Sequence, residues 1–199
     1  MSYQVSINGQ LAGYAPNSVF VVRGLDTDST YTAEVKTAWQ DGTISERKAQ
    51  ISFSLKDLLP AEISLSELEP VRLTPGWRQP EMNRTTSGKG LILRGNLYER
   101  GIGMPSSSEV EFDLRALWDN FSAIAGIDDG NTRQVGVDFV VLGDGKELWR
   151  RDGLKKADGP VPVDVRVSGV RKLTLRVKGT TTERCDWGSA RLSRRIGVR

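Results

Sequence analysis

The residues best suited to chemistry fall in three short stretches: Gly76-Trp77, the run IDDGNTR with Asp128, Asp129, Asn131 and Arg133, and ERCDWG with Asp186 and Trp187. An indole can cover the apolar C–H face of a polyhydroxylated ring, while a few fixed acidic, amide and guanidinium groups orient its hydroxyls. Each residue also has a plainer reading. Trp77 and Trp187 equally suit a packed core, and Asp128 with Asp129 equally suit the ordering of a loop or the holding of a hard cation. For a cation, IDDGN favours calcium over zinc as a structural ion, although it lacks the ligand spacing of an EF-hand loop. No cofactor is required by any of these stretches.

Histidine is absent. Ser-His-Asp and Cys-His nucleophiles, His-ligated zinc and imidazole acid–base chemistry are thereby excluded. Paired carboxylates remain, since the chain has 25 acidic residues, but adjacent aspartates in an extended strand point to opposite faces and cannot flank one glycosidic bond. There is no Walker loop, GxGxxG or CxxC. Cys185 stands alone, so no intrachain disulfide forms.

The 28 basic and 25 acidic residues give a net charge of +3 and are interspersed, which suits a solvated surface rather than a nucleic-acid partner. The one dense basic run is the tail with Arg191, Arg194, Arg195 and Arg199. No apolar run is long enough to insert in a membrane, and MSYQVSINGQ has neither a basic start nor an apolar signal core. A role outside the cell or at its surface therefore implies that the chain is part of a larger polypeptide or is exported some other way.

The elements that must position these residues are strands. Val110, Phe112 and Leu114 alternate with Glu109, Glu111 and Asp113, the period of a strand with one wet face. Phe121, Ala123, Ala125 and Ile127 repeat it. Val135, Val137, Phe139 and Val141 share one face while Val140 and Leu142 make the other partly apolar, and Asp144-Gly145 follows as a tight hairpin. Val163, Val165 and Val167, then Leu173, Leu175 and Val177, supply two more strands. KGTTTERCDWG is expected to be a loop that carries Trp187 to the same end as Asp128. Upstream, Val5 and Ile7 lead through Asn8-Gly9 to Leu11, and Tyr31 to Trp39 turns at Asp41-Gly42 and returns through Ala49, Ile51 and Phe53 as a β-meander. KDLLPAE, with Pro60, marks a boundary.

The spacing of Leu25, Tyr31 and Val35 resembles the second half of a fibronectin type III domain, in which that Tyr forms a tyrosine corner. Residues 62–193 carry SLSELEPV, Gly76-Trp77, LYERGIG, Ser108-Glu109-Val110, AGIDD, Cys185-Asp186-Trp187 and Ala190-Arg191-Leu192 in order. That set is similar to the NPCBM family, carbohydrate-binding module family 51. The resemblance implies a β-sandwich that binds galactose-containing glycans as an appendage of a secreted glycoside hydrolase. Two departures stand out: the family commonly has His where this chain has Met104-Pro105-Ser106, and His-Ala-Asp-Trp where it has Arg184-Cys185-Asp186-Trp187.

The expected architecture is all-β: a partial fibronectin type III-like meander over 1–55, a linker over 56–61, a jelly-roll-like antiparallel sandwich over 62–193, and a basic tail over 194–199. The leading function is non-catalytic binding of a glycan or polysaccharide through Trp77, Asp128, Asp129, Asn131, Arg133, Asp186 and Trp187. A structural or protein-interaction module with a lost sugar site, and a carboxylate hydrolase, are the rivals. Because apolar alternation in 62–193 is complete by itself, that segment alone should unfold in one cooperative thermal transition, whereas 1–55 should not. Thermal melts of the two expressed pieces check this; a sharp transition in the first piece would overturn it.

Overall fold

The computed structural model describes residues 1–26, 29–180 and 182–194. Arg195 and Arg199 of the basic tail therefore lie outside the described residues. The chain divides into two compact units, Met1–Pro60 and the chain from Ala61 onward. No helix among the described residues is long and apolar enough to cross a membrane.

The first unit holds β1 (Ser2–Ile7), β2 (Gln10–Ala15), β3 (Thr30–Ala38) and β4 (Ile44–Ser54) in one antiparallel sheet of order β2-β1-β3-β4. Asn8 and Gly9 both have positive φ, as a type I′ hairpin demands. Register explains the sequence pattern. Val5, Val35 and Ala49 align across three strands, as do Ile7, Ala33 and Ile51, while Gln4, Lys36 and Lys48 align on the other face. The backbone N–H of Asp26 donates to Tyr31 Oη at 2.6 Å, a contact of the tyrosine-corner kind. Phe20 and Val22 lie along the apolar face, yet Ile51 remains 63 % exposed. Among the described residues this unit has no second sheet to close it, so a sandwich of the fibronectin sort is not what these strands build.

The second unit is all-β. Its short strands are β5 (Glu62–Ser64), β6 (Arg72–Thr74), β7 (Glu81–Met82), β8 (Leu91–Leu93), β9 (Asn96–Tyr98) and β10 (Gly101–Pro105). The longer ones are β11 (Ser108–Asp113), β12 (Asn120–Ile127), β13 (Val137–Gly143), β14 (Lys146–Leu154), β15 (Val161–Arg166), β16 (Lys172–Lys178) and β17 (Arg184–Ser193). One sheet runs β15-β12-β17-β10-β7, with β5 also paired to β17; the other runs β14-β13-β16-β11-β6; every pairing is antiparallel. Asp144 and Gly145, both at positive φ, turn β13 into β14.

The alternating apolar residues face one another between these sheets. Phe112, Phe121, Phe139, Leu173 and Leu175 are fully buried in one cluster with Met104, Cys185 and Trp187. The Trp187 ring lies 5.2 Å from Phe139, 6.2 Å from Trp149 and 6.4 Å from Phe121, centroid to centroid, with tilted or edge-on planes. It thus touches aromatic residues of both sheets. The expected loop at ERCDWG is instead the start of β17, and Trp187 presents no surface to a ligand, being 0 % exposed. Alternation is missing there because both faces of β17 are covered. Asp186 pairs across the ladder with Gly103 on one side and Gly126 on the other. Residues 83–100, including the β8–β9 hairpin, lie over that outer face: a Cβ on Gly103 would come within 2.3 Å of Arg84 O, and Leu93 packs over Gly126. Only glycine permits the backbone at 84–85 to approach so closely.

Removing the indole that joins the two sheets should leave a void the sheets cannot close. Trp187→Ala is expected to cost about 3–5 kcal/mol, measured by urea unfolding; a loss below about 1 kcal/mol would show that the cluster is not the packing centre.

A rim cleft on the second unit

Three of the residues singled out in the sequence, Trp77, Asn131 and Arg133, come together with Thr132, Thr182 and Arg184 around a shallow cleft of about 310 Å³. Trp77 reaches it because Gly76 lets the chain lie against β10: a Cβ there would sit 2.2 Å from Ser106 O. The indole Nε1 donates to Glu183 O at 3.4 Å. On the ring itself, the Arg78 guanidinium stands 5.3 Å from the centroid and is anchored on Thr86 O at 3.0 Å. Trp77 remains 37 % exposed, so part of the ring faces solvent in a fixed orientation.

The Asp128–Arg133 loop is held by its own polar groups. Asn131 Nδ2 donates to Asp128 O at 3.1 Å and to Arg184 O at 2.6 Å, and its Oδ1 accepts from Arg184 N at 3.0 Å. The side chain thereby extends the β17 edge as a strand would. Asp128 Oδ1 accepts from Gly130 N at 2.9 Å and Oδ2 from Ile92 N at 3.4 Å. Asp129 caps the turn of the β8–β9 hairpin, accepting from Arg94 N at 3.1 Å and Gly95 N at 2.7 Å. Of the two readings left open for these aspartates, they serve loop ordering. Lys156 Nζ meanwhile donates to Asp129 O at 2.6 Å and Asn131 O at 3.0 Å. The Lys156 ammonium thus occupies two of the loop carbonyl oxygens that a hard cation would use. Among the described residues no group of three acidic, His or Cys side chains is arranged to hold a metal.

Asp186 departs furthest from its expected place. It is 0 % exposed beneath residues 83–100, and the group facing its carboxyl is the Asp128 carboxyl. A ligand at the rim does not reach it. Burial pushes its carboxyl well above the usual carboxylate range, and the nearby Asp128 charge adds to the effect, so the neutral form is the one this environment favours. Burial likewise raises the Cys185 thiol, chiefly by desolvation, which leaves it a small packed side chain rather than a nucleophile.

Arg184 was visible in the sequence only as the residue standing where the resembled family commonly has His. It is half-buried at the mouth of β17, with Nη1 donating to Gly130 O at 3.0 Å. Its ladder partner is Pro105, so the two positions at which histidine would be expected are direct neighbours beside the cleft. A larger cleft of about 510 Å³ lies on the first unit, but its lining, with Tyr3, Val5, Phe20 and Val35, is almost wholly apolar.

The second unit is therefore a two-layer antiparallel sandwich with a covered outer face and an aromatic-and-polar cleft at its rim. Residues 61–193 match the NPCBM/NEW2 domain, and the chain belongs to that family. In fold it is similar to a structure described as CBM51 from Clostridium perfringens GH95 in complex with methyl-galactose, at 24 % identity and a TM-score of 0.61, covering 66 % of this chain and 99 % of that one. It is also similar to one described as CBM51-2 in complex with GlcNAc and INT domains from Clostridium perfringens ZmpB, at 22 % identity and a TM-score of 0.62, covering 96 % of this chain and 40 % of that one. A Renibacterium salmoninarum protein named "Putative endo-alpha-N-acetylgalactosaminidase" is 25 % identical over 183 residues, 83 % of this chain; the chain spans 12 % of that relative's length. Nothing found supports a fibronectin type III domain over residues 1–55.

A carboxyl whose folded pKa lies above its unfolded value stabilises most at low pH, and that contribution fades as pH rises through the folded pKa. Asp186→Asn, which keeps the neutral shape, should match the natural chain near pH 4, about where an unfolded Asp is half-protonated. It should then become progressively more stable than the natural chain as pH rises to about 8. Urea midpoints at both pH values check this; a gap that stays constant would contradict a neutral Asp186.

Proposed function

We propose that this chain is a non-catalytic carbohydrate-binding module that takes a sugar of a galactose-containing glycan into the rim cleft. In this reading it serves as an appendage holding a larger secreted glycoside hydrolase or surface protein at its polysaccharide. The observation that carries it is the Trp77 indole, fixed by Glu183 O and partly exposed beside the 130–133 loop in a cleft of about 310 Å³. A flat aromatic beside a few polar groups is what a hexose ring requires. Membership of the NPCBM/NEW2 family and likeness to structures in complex with methyl-galactose and with GlcNAc support it. Catalysis is disfavoured because no Asp or Glu is among the described residues lining the cleft, so two-carboxylate glycoside hydrolysis has neither its acid nor its base there.

A shallow site with one aromatic should bind a monosaccharide weakly, on the order of 0.1–1 mM, with avidity supplied by neighbouring modules of a larger protein. Calorimetric titration with methyl galactoside is expected to show this affinity. Trp77→Ala should weaken it at least about tenfold while the melting temperature moves little. If the natural chain binds nothing on a broad galactoside and host-glycan array at millimolar concentrations, a protein-interaction role replaces this reading.

A further inference from the structure

Resting on the glycan-binding reading, we propose that the rim cleft selects a sugar carrying an anionic substituent, a sulfate ester or a carboxylate, over the neutral sugar. Among the described residues the cleft carries two guanidinium groups and no carboxylate, its other polar side chains being those of Asn131, Thr132 and Thr182. Arg133 and Arg184 both line it, and no acidic side chain does among the described residues. Arg133 makes no side-chain hydrogen bond or ion pair among the described residues. Arg184 is steadied by Gly130 O through Nη1, while its Nε has no acceptor among the described residues. A third guanidinium, that of Arg78, stands over the Trp77 ring.

Apart from the hydroxyls of Thr132 and Thr182, the side-chain acceptors at and beside the cleft are already committed. Asn131 uses its carbonyl oxygen on Arg184 N, Asp128 accepts from Gly130 and Ile92, and Asp129 accepts from Arg94 and Gly95. A hydroxyl both donates and accepts, whereas a sulfate or carboxylate only accepts. The cleft therefore matches the second kind of group better than the first. A guanidinium offers paired N–H groups to such an oxyanion and keeps its charge at any physiological pH. Arg184 brings that permanent charge to a position where a histidine would have been expected.

The test uses the whole chain and matched ligands: methyl galactoside, galactose 6-sulfate and galacturonic acid, titrated calorimetrically at about 50 and 300 mM NaCl. At least one charged sugar is expected to bind about tenfold or more tighter than the neutral one at low salt. That advantage should shrink at high salt, since exposed charges are screened. Which of the two charged sugars gains identifies the substituent as sulfate or carboxylate. In Arg184→Gln and in Arg133→Gln the ratio of charged to neutral affinity should fall towards one; the Arg133 side chain makes no hydrogen bond or ion pair among the described residues, so its variant stays informative even if Arg184→Gln misfolds. Equal affinity for neutral and charged sugars overturns this inference and leaves the glycan-binding reading standing. A charged preference that persists in both variants also overturns it, by placing the anion elsewhere. Binding of none of the three sugars sinks the glycan-binding reading itself.

Discussion

Burial of the first half of β17, Cys185 to Gly188, on both faces is the constraint from which the second unit is built. On its inner side Trp187 joins Phe121 of the same sheet to Phe139 and Trp149 of the other. On its outer side the segment from 83 to 100 lies directly on the ladder, close enough that Gly103 cannot be any larger residue. Two layers of packing thus fix the position of a strand whose first residue, Arg184, opens onto the rim. The cleft inherits its geometry from this strand and from the loop that Asn131 ties to it.

Strands with one wet face were legible in the sequence. Val110, Phe112 and Leu114 bury while Glu109 and Glu111 pair with Arg176, Arg72 and Lys172 on the open face, and the alternation records that difference. Asn8-Gly9 and Asp144-Gly145 likewise announced their turns, because positive φ is a local demand. The start of β17 was hidden for the opposite reason: Cys185 to Gly188 are covered on both sides and have no reason to alternate, and Cys-Asp-Trp looks like a polar loop. The covering segment was equally invisible, since Leu91 and Leu93 are fully buried on an outer face that no local pattern reveals.

The make-up of the candidate cleft was legible in part. Trp77, Asn131 and Arg133 do meet in one cleft, but Asn131 holds backbone rather than facing outward, and Asp128 with Asp129 pin the β8–β9 hairpin. Sequence separates neither case, because an oxygen that orders a loop and one that meets a ligand occur in the same kind of turn. Arg184 carried a signal only through its departure from an expected histidine. The first unit shows the same limit on a larger scale: its meander was plain from alternation, whereas what its strands assemble into depends on partners that a two-residue period does not specify.

Tying the 128–133 loop to Arg184 has a kinetic consequence. A binding loop that must first find its shape lowers apparent affinity by the fraction of time it is misfolded and slows capture to the rate of rearrangement. Here three Asn131 bonds and the Lys156 ammonium hold the loop before any encounter. On the proposed glycan-binding reading, association at this rim is then governed by diffusion and orientation, and weak contacts made and lost quickly would let a tethered protein move along a repetitive polymer without letting go of it.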